Sequence, residues 1–285
     1  MDDRGAAGDA GVRVLVIGYG SIGQRHAANA RALGHDVQVF DQVGKTMDAA
    51  IADGFCPAEP DAFLAEAVIV ATPSASHAHV AGGLLMCGYD GPLLVEKPLG
   101  VTSTEAVWSL WPHPTTMVGY NLRWQPQARA LRAGLTLAGP VTAARFGLVC
   151  NMADWPGHAY GEPLIECSHE IDLALWCGAP DELTAVELDK DWAKLEFSSP
   201  EHRVDLCWAA EEPRYRRAWT IESERFNGSA WFDSPQALGE QMYRDELAHF
   251  LACAQAGVAT ECPFTDGLAV LRICEQAKAM AGVPT

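Results

Sequence analysis

The stretch that decides the fold is VRVLVIGYGSIGQRHAANARALG, residues 12–34. It opens with a short, mostly β-branched run that ends at Gly18, the mark of a buried strand. Ile22, Ala27, Ala30 and Leu33 then recur at helical spacing, with Gly34 as a stop. Between strand and helix, Gly18, Gly20 and Gly23 form a G-x-G-x-x-G pattern. Gly18 allows a tight turn, Gly20 lets a pyrophosphate approach the backbone, and Gly23 lets the helix pack closely with its N-terminus toward the phosphates. The next strand, DVQVFD (36–41), ends in Asp41, the acid that this motif requires for ribose hydroxyls. Asp41 repels a 2′-phosphate, and Gln42, Val43 and Gly44 bring no arginine to welcome one; Lys45 is the only nearby cation. NAD(H) is therefore expected over NADP(H). The competing reading is a glycine-rich turn with no ligand, and the strand–turn–helix context weighs against it.

Further apolar strands follow at AVIVATP (67–73), LLVEKP (93–98) and TTMVGYN (115–121), with helical stretches near 76–87 and 102–110. This alternation predicts a doubly wound parallel sheet, a Rossmann dinucleotide-binding domain over residues 12–123, after a disordered tail at 1–11. Beyond residue 124 the rhythm changes. VTAARFGLVC (141–150) reads as a strand, LIECSHEIDLALWCG (164–178) as one apolar helix, and 183–233 as strands separated by turns. Two helices near 235–256 and 265–281 close the chain. Residues 124–285 are thus expected to form an α+β substrate-binding and oligomerisation domain. Its sheet should be largely antiparallel and open-faced. Such a face must be covered, which points to a homodimer or homotetramer.

Charge narrows the function. The chain has 37 acidic and 20 basic groups, a net of -17, against nucleic acid and anionic membrane surfaces. No apolar run approaches the ~20 residues of a membrane span. Nine cysteines without a C-x-x-C pair fit reduced thiols in a cytoplasm, and no metal site is expected.

Two places carry chemistry. Glu166, His169 and Asp172 follow one another at i, i+3 steps, an ionisable seam on an apolar helix. His169 suits a general base for a hydroxyl proton, or equally a core histidine pinned by Glu166 or Asp172. Lys97 follows a parallel strand at its carboxyl end, where ligands bind, although a surface Lys paired with Glu96 has the same local sequence.

The order GYGSIG, ATPSASH (71–77), EKP (96–98), GYNLRW (119–124), SHEIDLALW (168–176) and DGLAVLRICEQA (266–277) resembles the glucose–fructose oxidoreductase/inositol dehydrogenase (Gfo/Idh/MocA) family. The resemblance runs from Val12 almost to the end. It implies NAD(P)-dependent oxidation or reduction of a sugar, sugar-nucleotide, cyclitol or related polyhydroxylated small molecule. It implies cofactor contacts from Gly18, Tyr19, Gly20, Ser21, Ile22, Gly23, Asp41, Thr72, Pro73, His77, Glu96, Lys97 and Arg123. It also implies Lys97 and His169 as the reacting pair, with Glu166 and Asp172 beside them. Trp124, Trp155 and Tyr160 are further candidates to line the substrate pocket. Family members carry an Asp three or four residues before the histidine, where this chain has Glu166 and Ile165. Two other readings stay open: reduction of an imine or enal, and a catalytically silent NAD(H)-binding sensor or assembly protein.

Overall fold

The computed structural model describes residues 11–58, 64–103, 107–138, 140–151, 163–209 and 215–283. Six strands make the first sheet: β1 (Arg13–Ile17), β2 (Asp36–Phe40), β3 (Cys56–Pro57), β4 (Ala67–Val70), β5 (Leu93–Glu96) and β6 (Thr116–Gly119). Their order is β3-β2-β1-β4-β5-β6, and every neighbouring pair is parallel. All four residues of β4, β5 and β6 are buried, as strands covered on both faces require. The strand order reverses between β1 and β4, so the crevice for a ligand opens beyond Ile17 and Val70.

The connections carry helices α1 (Ser21–Ala32), α2 (Gly44–Ala52), α3 (His77–Met86) and α4 (Val107–Leu110). Helix α1 buries Gly23, His26, Ala27, Asn29 and Ala30, while the expected core residue Leu33 is 41% exposed. The buried face is thus made of small and polar residues, because α1 must lie close to the sheet. Helix α2 and strand β3 lie outside the expected elements; α2 buries only Ala50, too little for a visible stripe.

The second half adds α5 (Pro126–Ala138), β7 (Val141–Val149), α6 (Pro163–Glu166), α7 (His169–Trp176) and β8 (Ala185–Leu188). It continues with β9 (Trp192–Glu196), β10 (His202–Cys207), β11 (Arg216–Ser223), β12 (Asn227–Phe232), α8 (Gln241–Ala256) and α9 (Phe264–Met280). The second sheet runs β12-β11-β7-β10-β9-β8 and is antiparallel except where β7 meets β10. Arg217, Trp219, Ile221 and Ser223 of β11 turn inward, and α7 packs on the same sheet through β7 and β10. Elsewhere the sheet pairs Lys194 with Glu187 and Glu196, and Arg203 with Asp205.

Two expectations are corrected. The helix over 164–178 is broken at Cys167–Ser168 into α6 and α7. The helix near 235 begins only at Gln241, because Gly239 adopts φ 78° after a short 3-10 turn over Pro235–Leu238. The end of the chain also returns to the first sheet. Arg25 of α1 pairs with Glu240 at 2.8 Å and lies 4.3 Å above the Tyr243 ring. The Val118 N–H donates to the Cys262 carbonyl, and Thr260 Oγ1 to the Thr116 carbonyl. Gly267 of α9 sits where a Cβ would come within 2.8 Å of Val118. Among the described residues, no helix is long and apolar enough to cross a membrane.

Candidate active site

The glycine loop has the shape that a pyrophosphate needs. Gly18 has φ 96°, and a Cβ there would lie 2.7 Å from the Ala71 carbonyl. A Cβ on Gly23 would lie 1.9 Å from the Gly18 carbonyl, so only glycine lets α1 start against the turn. Around Gly20 nothing lies within 4 Å of such a Cβ, which leaves the backbone open in front of the helix N-terminus. No side chain caps α1, so its first N–H groups face this opening.

Asp41 closes the same crevice. Its Oδ2 accepts the Tyr19 N–H at 2.8 Å and its Oδ1 the Val43 N–H at 2.8 Å. A carboxylate has roughly four acceptor positions. Two remain for hydroxyls, so Asp41 is positioned by backbone and still able to bind. The donor set and the open loop fit a dinucleotide.

Other expected cofactor residues are engaged within the chain. The Tyr19 side chain is buried, donates to Asp53 Oδ2 at 2.8 Å and meets the edge of Phe55. Burial, then Asp53, pushes its phenol up to about 12. Ser76 donates to Thr72 Oγ1. His77 is fully buried between two carbonyls, with Nδ1 2.8 Å from Pro98 O and Nε2 2.8 Å from Thr72 O. Burial holds its pKa below the ordinary range, so a neutral ring donates to one carbonyl at a time. His77 therefore ties the loop after β4, which includes Pro73, to the loop after β5.

Strand β5 delivers Glu96 and Lys97 to the crevice, followed by a cis Lys97–Pro98 peptide. Gly119 on neighbouring β6 makes room, since a Cβ there would lie 2.8 Å from the Glu96 carboxyl carbon. Glu96 Oε1 lies 2.7 Å from His26 Nε2, and Oε2 accepts the Lys97 N–H. Glu96 thus joins α1 to the end of β5 rather than pairing with the Lys97 ammonium.

That ammonium reaches α6. Lys97 Nζ donates to the Glu166 carbonyl at 3.0 Å and to Glu166 Oε2 at 3.3 Å. In a continuous helix the Glu166 carbonyl would accept the Glu170 N–H. Lys97 takes that oxygen instead, a physical reason for the break after Glu166. The Glu166 carboxylate also accepts the Ser74 hydroxyl at 2.8 Å. The break lets α7 start at His169, whose ring packs edge-on against Tyr120 at 5.6 Å, while the Tyr120 hydroxyl donates to Ser168.

His169 Nδ1 is buried with no partner among the described residues. Burial, reinforced by Lys97 and Arg217, holds the imidazole well below its ordinary range, so it is neutral at neutral pH. Behind it, Glu170 and Arg217 form a buried pair at 2.6 Å that pins α7 to β11.

Lys97, Glu166, Ser74 and His169 therefore share one electrostatic neighbourhood. Arg123 and Asp172, expected at the cofactor and on the ionisable seam, are instead turned to each other. Arg123 is 2% exposed and Asp172 0%. They meet through two bonds of 2.9 and 2.6 Å, and Arg123 also holds Asp266 at 2.7 Å and the Glu261 carbonyl at 2.8 Å. Their charges satisfy one another in the core and face neither cofactor nor lysine. Trp124 is buried against His249 and Arg129. Trp155 and Tyr160 lie outside the described residues. Ser74, His26, Tyr120 and Arg217 carry parts of this arrangement that spacing does not reveal; Ser74 lies within the quoted ATPSASH run and Tyr120 within GYNLRW, whereas His26 and Arg217 have no signal of their own.

A parallel sheet with an open glycine loop and an acid at the end of β2 defines an NAD-binding Rossmann fold. Residues 12–110 match the family model GFO_IDH_MocA, described as "Oxidoreductase family, NAD-binding Rossmann fold". The whole chain shares its fold with solved relatives of low identity. Myo-inositol 2-dehydrogenase from Lactobacillus plantarum superposes with a TM-score of 0.79 at 16% identity, over 95% of this chain and 97% of that one. UDP-N-acetylglucosamine 3-dehydrogenase from Acidithiobacillus ferrooxidans gives 0.71 at 21% identity, over 95% and 97%. Myo-inositol dehydrogenase from Lactobacillus casei, solved with NAD(H) and myo-inositol, gives 0.75 at 19% identity, over 95% of each chain.

Proposed function

We propose that the protein is an NAD(H)-dependent dehydrogenase that exchanges hydride with a hydroxyl- or keto-bearing carbon of a cyclitol, sugar or sugar nucleotide. The observation that carries this reading is the contact of Lys97, at the carboxyl end of β5, with Glu166 in the electrostatic neighbourhood of a neutral His169. The solved relatives with dehydrogenase names add support for the substrate class. The cofactor supplies the nicotinamide carbon that takes or returns hydride. The Gly18–Gly23 loop and the α1 N-terminus hold its phosphates, and Asp41 accepts its ribose hydroxyls. Lys97, held by Glu166, stabilises the reacting oxygen as its charge changes. His169, neutral at rest, accepts the hydroxyl proton in oxidation and returns it in reduction. Arg123 and Asp172 support the site from the core, and residues 12–123 and 124–285 act as cofactor and substrate units respectively.

Parallel calorimetric titrations with NADH and NADPH, followed by a screen of cyclitols and sugar nucleotides, test this reading. NADH binding tighter than NADPH binding, with turnover of a polyol, is expected. Preference for NADPH would overturn the role of Asp41. NADH binding without turnover on any polyol would favour the silent binder, a reading motivated by Glu166 already occupying the Lys97 ammonium.

A further inference from the structure

Glu246, on α8, is 0% exposed, and neither carboxylate oxygen has a hydrogen-bond partner among the described residues. It faces two buried groups from other elements, His26 of α1 and Glu96 of β5, with one ligand-type atom from each residue within 4.8 Å of the others. His26 Nε2 is already bonded to Glu96 Oε1, and His26 Nδ1 is buried without a partner. The other titratable groups that sense this cluster are Tyr243 on the same helix, Asp172 of α7, Cys262 before α9 and the buried His77 of α3. Asn121 adds a buried Oδ1 without a partner. None of these brings a fixed positive charge.

Two carboxylates this close, one of them fully buried, do not both stay ionised. A metal ion is one way to balance them. Here, however, His26 Nε2 and Glu96 Oε1 touch at 2.7 Å, shorter than the roughly 3.4 Å between neighbouring ligands of a tetrahedral zinc. His26 also lacks the outer partner that orients a ligating histidine. A proton fits better. Glu96 already has two partners, His26 Nε2 at 2.7 Å and the Lys97 N–H. Glu246 has no donor among the described residues, so the proton belongs there.

We propose that Glu246 is held as a neutral carboxylic acid and acts as a positioning residue for Lys97. Its neutrality lets Glu96 remain an anion that binds α1 through His26 and the catalytic strand through the Lys97 N–H. One acid on the last part of the chain thus sets the geometry between cofactor helix and lysine. Burial first, then Glu96 and Asp172, pushes its pKa well above the carboxylate range, in agreement with the geometry. The positioning role rests on the function proposed for Lys97; the protonation does not.

The test compares wild type with Glu246→Gln, which is permanently neutral at the same shape, and Glu246→Leu. Infrared spectra at neutral pH should show a buried carboxylic acid carbonyl band in wild type that Glu246→Gln removes. An acid with a raised folded-state pKa contributes full stability below its unfolded pKa and loses it as pH rises toward the folded value. Glu246→Gln should therefore gain stability over wild type as pH increases. Its kcat should stay within about threefold of wild type and lose any alkaline decline, with KM unchanged. Glu246→Leu should lower kcat more than KM and speed hydrogen exchange in residues 93–100. If Leu fails to fold, the Gln comparison decides alone. An absent acid band, a Gln variant that loses stability as pH rises, or stoichiometric metal in purified protein that disappears in Glu246→Gln would overturn the proposal. Equal exchange in all three proteins would overturn the positioning role. If the band and pH results hold while no substrate turns over, the dehydrogenase reading fails and the neutral acid stands.

Discussion

Replacing Lys97 by methionine keeps an unbranched stem and removes the charge. Its Nζ makes two contacts with Glu166, at 3.0 and 3.3 Å, and the two side chains are 18% and 16% exposed. Stripping a fully buried charge of its partner costs about 3–5 kcal/mol, while a surface pair is worth under about 1 kcal/mol. This pair is mostly enclosed, and Ser74 still donates to the orphaned carboxylate. A loss of about 1–2 kcal/mol follows from those two limits. At roughly 2–4 °C per kcal/mol for a large domain, Tm falls by about 2–8 °C and the protein stays folded at room temperature. The chemical penalty is larger. Removing one positioned donor from a developing oxyanion costs about 10²–10³-fold in kcat. The assay is NAD⁺-dependent oxidation of the best polyol from the screen, with NADH affinity measured by calorimetry on the same samples. A kcat lower by about 100- to 1000-fold, with NADH affinity within about threefold, is expected. A kcat within tenfold of wild type, or a loss of NADH binding that matches the loss of rate, would refute the role given to Lys97.

Gly23→Ala places a Cβ 1.9 Å from the Gly18 carbonyl, so α1 must leave the turn; calorimetry should find NADH binding lost and Tm lowered. Arg123→Met orphans the buried Asp172, and urea unfolding should show a loss of about 3–5 kcal/mol. Adding Asp172→Leu should restore part of that stability, which a surface role for Arg123 would not allow. His169 has a folded-state pKa below its unfolded one, so its contribution is present above the unfolded pKa, about 6.5, and is lost as pH falls. Urea midpoints between pH 7 and 5 should therefore fall more for wild type than for His169→Asn; parallel slopes would mean that His169 is not buried as a neutral ring. Tyr19→Phe removes the side-chain bond to Asp53 and leaves the Tyr19 N–H on Asp41, and NADH affinity should change by less than about threefold.

The first sheet was legible because its signals are local. Apart from the two-residue β3, its strands are short runs rich in apolar residues, and the glycines of residues 18–23 mark the turn in six positions. Helix α5 lies outside the expected elements, and its Gly134 is a poor helix former. In the fold it is a landing place for Phe226, whose ring would lie 2.4 Å from a Cβ at that position. The break between α6 and α7 could not be read at all. It is tied to Lys97, far back in the sequence, which takes the carbonyl that would have continued the helix. The same distance hid the partners of Asp172 and Glu96. Spacing puts Glu166, His169 and Asp172 on one face of one helix; the chain instead breaks after Glu166, Arg123 draws Asp172 into the core and Lys97 draws Glu166 toward the crevice. Glu246 has no sequence signal, because one acid on an amphipathic helix looks like solvated surface until α1 and β5 are seen to close over it.

The most direct measurement mixes the purified protein and its Lys97→Met variant with NAD⁺ and each member of a cyclitol and sugar-nucleotide panel, and follows NADH by absorbance. Steady NADH formation with at least one polyol, suppressed in Lys97→Met, is the expected result. No NADH from any of them, in a protein that binds NADH by calorimetry, would contradict the dehydrogenase assignment and leave a dinucleotide-binding protein of another kind.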